Sequence, residues 1–183
     1  MADEKKEVVN LDLNSDEENI FIQSNKGKKI FILNPKAAQY STLLLTIFWN
    51  CKESENITTI TSAKQPFKVS DASDENMEII VNYLTQCHMN GKEEDSPDKP
   101  LPRDTIPNIF KGNDYAIFRD ILESKEHDKI KITRISSLII DIAYFDIIKF
   151  REKASAAMAS LFIGKPLEEI RRMVDYAENK LSK

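Results

Sequence analysis

The sequence is poor in the residues around which protein chemistry is usually built. Two cysteines, Cys51 and Cys87, are too few for a secreted scaffold held by disulfides. Two histidines, His88 and His127, complete the soft metal ligands, and the adjacent Cys87 and His88 lack the spacing with which both could hold one structural zinc. No metal site is expected. Four glycines leave no room for a phosphate loop or a dinucleotide fingerprint. Gly164-Lys165 looks like the end of a phosphate loop, but the earlier glycine is missing and the preceding residues read as helix. No Gly-x-Ser-x-Gly elbow occurs, so no nucleophile is indicated. Asp141 and Asp146 read as a helix-surface charge and a cap at a helix junction, not as paired catalytic carboxylates. No catalytic residue and no cofactor follow from these patterns.

Two further absences concern location. No apolar stretch approaches the roughly 20 residues that span a bilayer, and the opening Met1-Ala2-Asp3-Glu4-Lys5-Lys6 carries no apolar run of a signal peptide. A cytoplasmic or nuclear protein, off the membrane, is the expectation. A net charge of −4, with basic and acidic residues interleaved, lacks the basic stripe of a general nucleic-acid binder.

What is present is a core. With 41% hydrophobic residues the chain can bury a globular interior. Residues 1–18 are polar and acidic and read as a flexible tail. Asn19–Ser24 and Lys29–Leu33 flank the turn Asn25-Lys26-Gly27-Lys28, the sequence form of a β-hairpin. Ser41 or Thr42 caps a helix with Leu44, Leu45, Phe48 and Trp49 on one face. Residues 52–64 read as a loop, with a short extended piece near 57–60. Phe67 and Val69 mark a brief strand. Ser73, Asp74 and Glu75 open a helix that turns Met77, Ile80, Val81 and Leu84 inward. Four prolines between Asn90 and Pro107 make residues 90–107 a mobile surface loop.

The second half reads as helical. Ile117, Phe118, Ile121 and Leu122 define a short amphipathic helix, and the alternation in Lys129–Thr133 suggests a small strand. Ile135, Leu138, Ile139, Ile142 and Ala143 recur at helical spacing, and Ile140 makes that helix apolar nearly all round, hence central. Phe150, Ala154, Ala157, Met158, Leu161 and Phe162 continue the period. Gly164 suits a C-terminal cap, Pro166 the first position of a last helix, and Glu168 and Glu169 its first turn. Leu167, Ile170, Met173, Val174, Ala177 and Leu181 then form a narrow apolar stripe. Either the preceding helix covers it or part of it receives a partner helix.

Several of these segments resemble one family. NIFIQSNKGKKIFIL (19–33), followed by Ser41-Thr42 and the apolar helix through Phe48, is similar to the opening of the BTB/POZ fold in the Skp subunit of Skp–cullin–F-box ubiquitin ligases. Asp104-Thr105-Ile106-Pro107 resembles that family's Ile-Pro element after the mobile loop. IAYFDI (142–147) stands where the family has Ala-Asn-Tyr-Leu-Asp-Ile, and GKPLEEIRRM (164–173) resembles its Gly-Lys-Thr-Pro-Glu-Glu-Ile-Arg. The resemblance implies an α+β fold: a BTB/POZ-like domain over 19–145, a hairpin and strand packed with helices, then Skp-type C-terminal helices over 146–183. It implies a non-catalytic adaptor, with Tyr144 near a cullin and Leu161, Ile163, Ile170, Met173 and Val174 near the F-box protein.

The departures are specific. Ala143 replaces the family asparagine, Pro166-Leu167 replaces Thr-Pro, and residues 107–133 are more numerous than in the family. The family's acidic, tryptophan-bearing tail has no counterpart before Lys183. A scaffold that binds an F-box-like helix, or a second copy of itself as a homodimer, without a cullin, is the alternative these departures favour.

Overall fold

The fold is described from a computed structural model over residues 8–9, 19–52, 64–69, 71–93, 95, 97, 110 and 114–182. The extended piece expected near 57–60, most of the loop at 90–107, Ile106-Pro107 and the side chain of Trp49 lie outside them. The chain has the mixed α+β composition that the sequence led us to expect. Its residues group into two compact units, Met1–Glu93 with Tyr144–Ile147, and Glu94–Ala143 with Ile148–Lys183. The expected boundary at 145/146 would instead have left residues 94–143 with the hairpin.

The first unit is organised by a small sheet. Strands β2 (Ile20–Ser24) and β3 (Ile30–Leu33) form the antiparallel hairpin, in the register Ile20↔Leu33, Phe21↔Ile32 and Ile22↔Phe31. β4 (Phe67–Val69) runs parallel to β2 on its other side. A two-residue strand, β1 (Val8–Val9), pairs parallel with β3 at Ile30 and Phe31, giving the order β1-β3-β2-β4. That corrects the reading of residues 1–18 as uniformly flexible tail. Two adjacent β-branched residues suffice for a ladder where a central strand still offers an open edge. All four side chains of β3 are buried, as a strand covered on both faces requires.

The hairpin turn is tied to helix α2 (Asp74–Asn90). One Asp74 carboxylate oxygen accepts the backbone N–H of Lys28 at 3.0 Å and of Lys29 at 3.3 Å. The turn comes so close that a Cβ on Gly27 would lie 2.0 Å from the other Asp74 oxygen, so no larger residue fits there without a shift. Ser73 is the N-cap of α2, its side chain accepting the Asn76 N–H, and Met77, Ile80, Val81 and Leu84 are buried. Gly91 closes the helix in the left-handed region, at φ 70°.

Helix α1 (Thr42–Lys52) follows a 3-10 turn at Ala37–Tyr40. Of the two candidate caps, Ser41 acts: its hydroxyl accepts the Leu44 N–H at 3.2 Å and donates to the Phe145 carbonyl at 2.6 Å. Leu44 is buried, whereas Leu45 is 40% exposed.

In the second unit, helices α3 (Asp114–Leu122), α4 (Asp128–Tyr144), α5 (Ile148–Ser160) and α6 (Leu167–Leu181) follow one another. Lys129–Thr133 is the first turn of α4, not the expected strand. The alternation misleads because Lys131 is buried: its ammonium donates to the Leu122 carbonyl at 2.8 Å, filling an acceptor that the end of α3 leaves open. α4 is also less enclosed than its composition suggests. Ile135, Leu138 and Ile142 are buried, but Ile140 is 58% exposed and Ala143 is exposed too. Asp146, at the junction of α4 and α5, turns the chain with a left-handed backbone, φ 51°, a conformation aspartate tolerates better than most residues.

Rings of Phe110, Phe118 and Phe150 stack in series at 5.4 and 5.8 Å between centroids. Beside them an ion pair is sealed from water. The Lys153 ammonium lies 3.0 and 2.9 Å from the two Asp114 carboxylate oxygens, and the side chains are 0% and 6% exposed. Breaking such a pair strands a charge in a poorly polarisable interior. Lys153→Met should therefore lower unfolding free energy by about 3–5 kcal/mol. The double variant with Asp114→Leu should recover most of that loss, as read by denaturant titration. A single variant as stable as the parent would contradict this account of the core.

Candidate partner-binding surface

The C-terminal helix is positioned by the segment before it. After α5 the chain tightens through Leu161–Gly164, and Gly164 reverses it at φ 76°. Pro166, extended at ψ 150°, is the N-cap of α6, one residue earlier in the helix scheme than expected, and has no side-chain cap bond. Glu168 and Glu169 occupy the first turn, where the helix dipole favours carboxylates.

Lys165 fixes this entry. Its ammonium reaches Asp128, the first residue of α4, at 2.8 Å and Glu169 at 3.0 Å. The hydrogen bonds that Lys165 donates, to Asp128 first and then to Glu169, raise its pKa, outweighing the opposing effect of burial. The same bond from Lys165 holds the Asp128 carboxyl below its ordinary value, against desolvation. Across α6, the Lys129 ammonium sits 4.8 Å above the centre of the Tyr176 ring. These contacts set which side of α6 is hidden. A groove of about 620 Å³ opens here, lined by His127, Lys129, Pro166, Glu168, Glu169, Arg172, Met173 and Tyr176.

The hidden side is narrow. Met173 and Ala177 are 3% and 4% exposed. Next to them run Leu167, Ile170, Val174 and Leu181, which on an ideal helix fall within roughly 60° of arc. Leu167 is 60% exposed, Leu181 39%, and Ile170 and Val174 are half-buried. The apolar face of α6 is therefore wider than the part its own chain covers.

The expected partner-binding residues separate accordingly. Ile163 (44% exposed), Ile170 and Val174 lie at the surface; Leu161 (7%) and Met173 (3%) are enclosed. Spacing alone could not divide them, because both halves of the stripe share one period. Leu167, which the expected set omits, is the most exposed apolar residue of α6, and its signal was its position three residues before Ile170. Arg171 pairs with Glu168 at 3.2 Å, both well exposed.

Tyr144 lies in the first unit. It ends α4, is 51% exposed, and packs edge-on against buried Phe145 with centroids 5.6 Å apart. Phe145 is anchored through its carbonyl to Ser41, so the Tyr144 side chain is presented from a fixed backbone. Of the residues noted for metal or acid–base chemistry, Cys87 is buried, His127 is exposed and Asp141 is half-buried on α4. Among the described residues no group of three or more His, Cys, Asp or Glu is placed to hold a metal ion, and no helix is long and apolar enough to cross a membrane.

The Lys165–Asp128 bridge has a pH signature. A lowered Asp128 pKa stabilises the fold above the unfolded value near 3.8 and ceases to do so as pH falls through the folded one. A raised Lys165 pKa stabilises it below 10.5 and ceases to do so as pH rises through the folded value. Lys165→Met should thus cost about 1 kcal/mol at neutral pH, with the gap to the parent closing at both extremes of a stability–pH profile. A gap constant with pH would assign the loss to packing instead. No protein-family model matches the chain, and no curated protein matches it.

Proposed function

We propose that the chain is a non-catalytic adaptor that receives an F-box-type helix on α6 and joins that substrate receptor to a cullin in a ubiquitin ligase. One observation carries the reading: Leu167, Ile170 and Val174 form an apolar strip beside the covered Met173–Ala177 side. A strip of aliphatic side chains on a fixed helix suits an amphipathic partner, whose apolar face removes them from water at roughly 25 cal/mol per Å². Supporting it are the α+β composition, the hairpin followed by helices, and the IAYFDI and GKPLEEIRRM segments that resemble the Skp family. On this reading the first unit is a BTB/POZ-like domain that meets the cullin near Tyr144, and the protein works in the cytoplasm or nucleus.

A second reading rests on Ala143. It is exposed beside Tyr144, so the surface offers a methyl group where the family presents an amide. A scaffold of the same fold that binds an F-box-like helix without a cullin accommodates that change.

Co-purification of the full chain separates the readings. An F-box protein recovered in stoichiometric amount together with a cullin is expected for the adaptor; the F-box protein alone identifies the scaffold; recovery of neither overturns both. Ile170→Glu or Val174→Glu should weaken the F-box complex by roughly 30-fold or more, with helical content by circular dichroism unchanged. Met173→Glu, a charge placed in an enclosed position, should instead destabilise the fold. Binding unaltered by Ile170→Glu and Val174→Glu would place the docking face elsewhere.

A further inference from the structure

The covered arc of α6 has two flanks. On one side of Met173 and Ala177 lies the strip of Leu167, Ile170 and Val174. On the other lie Glu169, Arg172 and Tyr176, roughly 160° from the strip around an ideal helix. This second flank meets the start of α4 across the groove of about 620 Å³, with His127 and Lys129 on the facing wall. Lys165, bound to both Asp128 and Glu169, ties the two walls together.

The charges on this flank are not equally available. Glu169 is engaged by Lys165 at 3.0 Å and Glu168 by Arg171 at 3.2 Å, while Asp128 is held by Lys165 as well. Among the described residues, Lys129, Arg172 and Lys180 take part in no ion pair. Lys129 and Lys180 both lie over the Tyr176 ring, 4.8 and 5.8 Å from its centre. The whole chain carries −4, yet the uncompensated charge here is positive.

We infer that this flank of α6 binds an acidic peptide segment of a partner protein in extended form. The spacing selects that ligand. Arg172, Tyr176 and Lys180 follow one another at four-residue intervals, and Lys129 sits at Tyr176. The three cations therefore make a row about 12 Å long beside the helix axis. In an extended peptide, alternate side chains leave on the same side, so carboxylates at three alternate positions span about 13 Å. A single small anion would meet only one part of such a row. Clusters of basic side chains are a recurring way of reading acidic segments. The strip and the row occupy opposite flanks of α6, so F-box capture and acidic-peptide binding can each fail alone.

Fluorescence anisotropy tests this with a labelled seven-residue peptide, serine and glutamate in alternation, titrated with the full-length protein. The peptide is too short to hold a helix in water. It should bind at low ionic strength and be released as salt rises. Its counterpart with glutamine for glutamate should bind about tenfold more weakly or worse. Arg172→Glu and Lys180→Glu, both at exposed positions, should each weaken binding by about tenfold or more. Arg151→Glu, the same charge change at an exposed position on α5, should bind as the parent does. A parent that binds neither peptide, or both alike, overturns the inference. So does parental binding by Arg172→Glu and Lys180→Glu, and so does an equal loss in Arg151→Glu, which would reduce the effect to net charge.

Discussion

The protein depends on a mismatch between how much apolar surface its last helix carries and how much of it the chain can cover. A helix packed against one neighbouring layer hides a limited arc, and on α6 that arc holds Met173 and Ala177. Leu167, Ile170 and Val174 extend the apolar face beyond it. Rotation of α6 about its axis would exchange one set for the other. Lys165 opposes that rotation by binding Asp128 at the start of α4 and Glu169 on the first turn of α6. The exposed strip thus lies on an over-wide apolar face whose helix entry is tied to the start of α4 by Lys165.

The interior supplies the rigidity such a surface requires. In the second unit a sealed ion pair and a buried lysine satisfy charges and an open carbonyl that aliphatic packing alone would leave exposed. In the first unit, Asp74 binds the hairpin turn and Ser41 binds both the start of α1 and the backbone of Phe145. The ties from Asp74 to the turn and from Ser41 to Phe145 join segments far apart in sequence. The bond from Ser41 to the Phe145 carbonyl sets the neighbouring, exposed Tyr144 on fixed backbone.

Much of this was legible in the residues. The hairpin around Gly27, the strand at Phe67–Val69, the Ser73 cap and the helical run from Ile135 onward follow from local chemistry, and they appear with boundaries close to those expected. Two of the misreadings share an origin, the burial of a residue whose type implies exposure, or the reverse. Lys131 is buried, so Lys129–Thr133 imitates a strand; Ile140 is exposed, so α4 looks more central than it is. Val8–Val9 pairs only because β3 provides an edge, a long-range condition no local window contains. For the candidate site, periodicity located the stripe but could not say which half the fold covers, and it gave no sign of the Lys165 tie at the entry of α6.

The central claim is best tested by solvent paramagnetic relaxation of side-chain methyl groups in the dilute full-length protein. The account predicts strong attenuation for the methyls of Leu167, Ile170 and Val174, with those of Leu161 and Met173 protected. Equal protection across all five would contradict it, because the chain would then cover its own seam and leave nothing for another helix to bind.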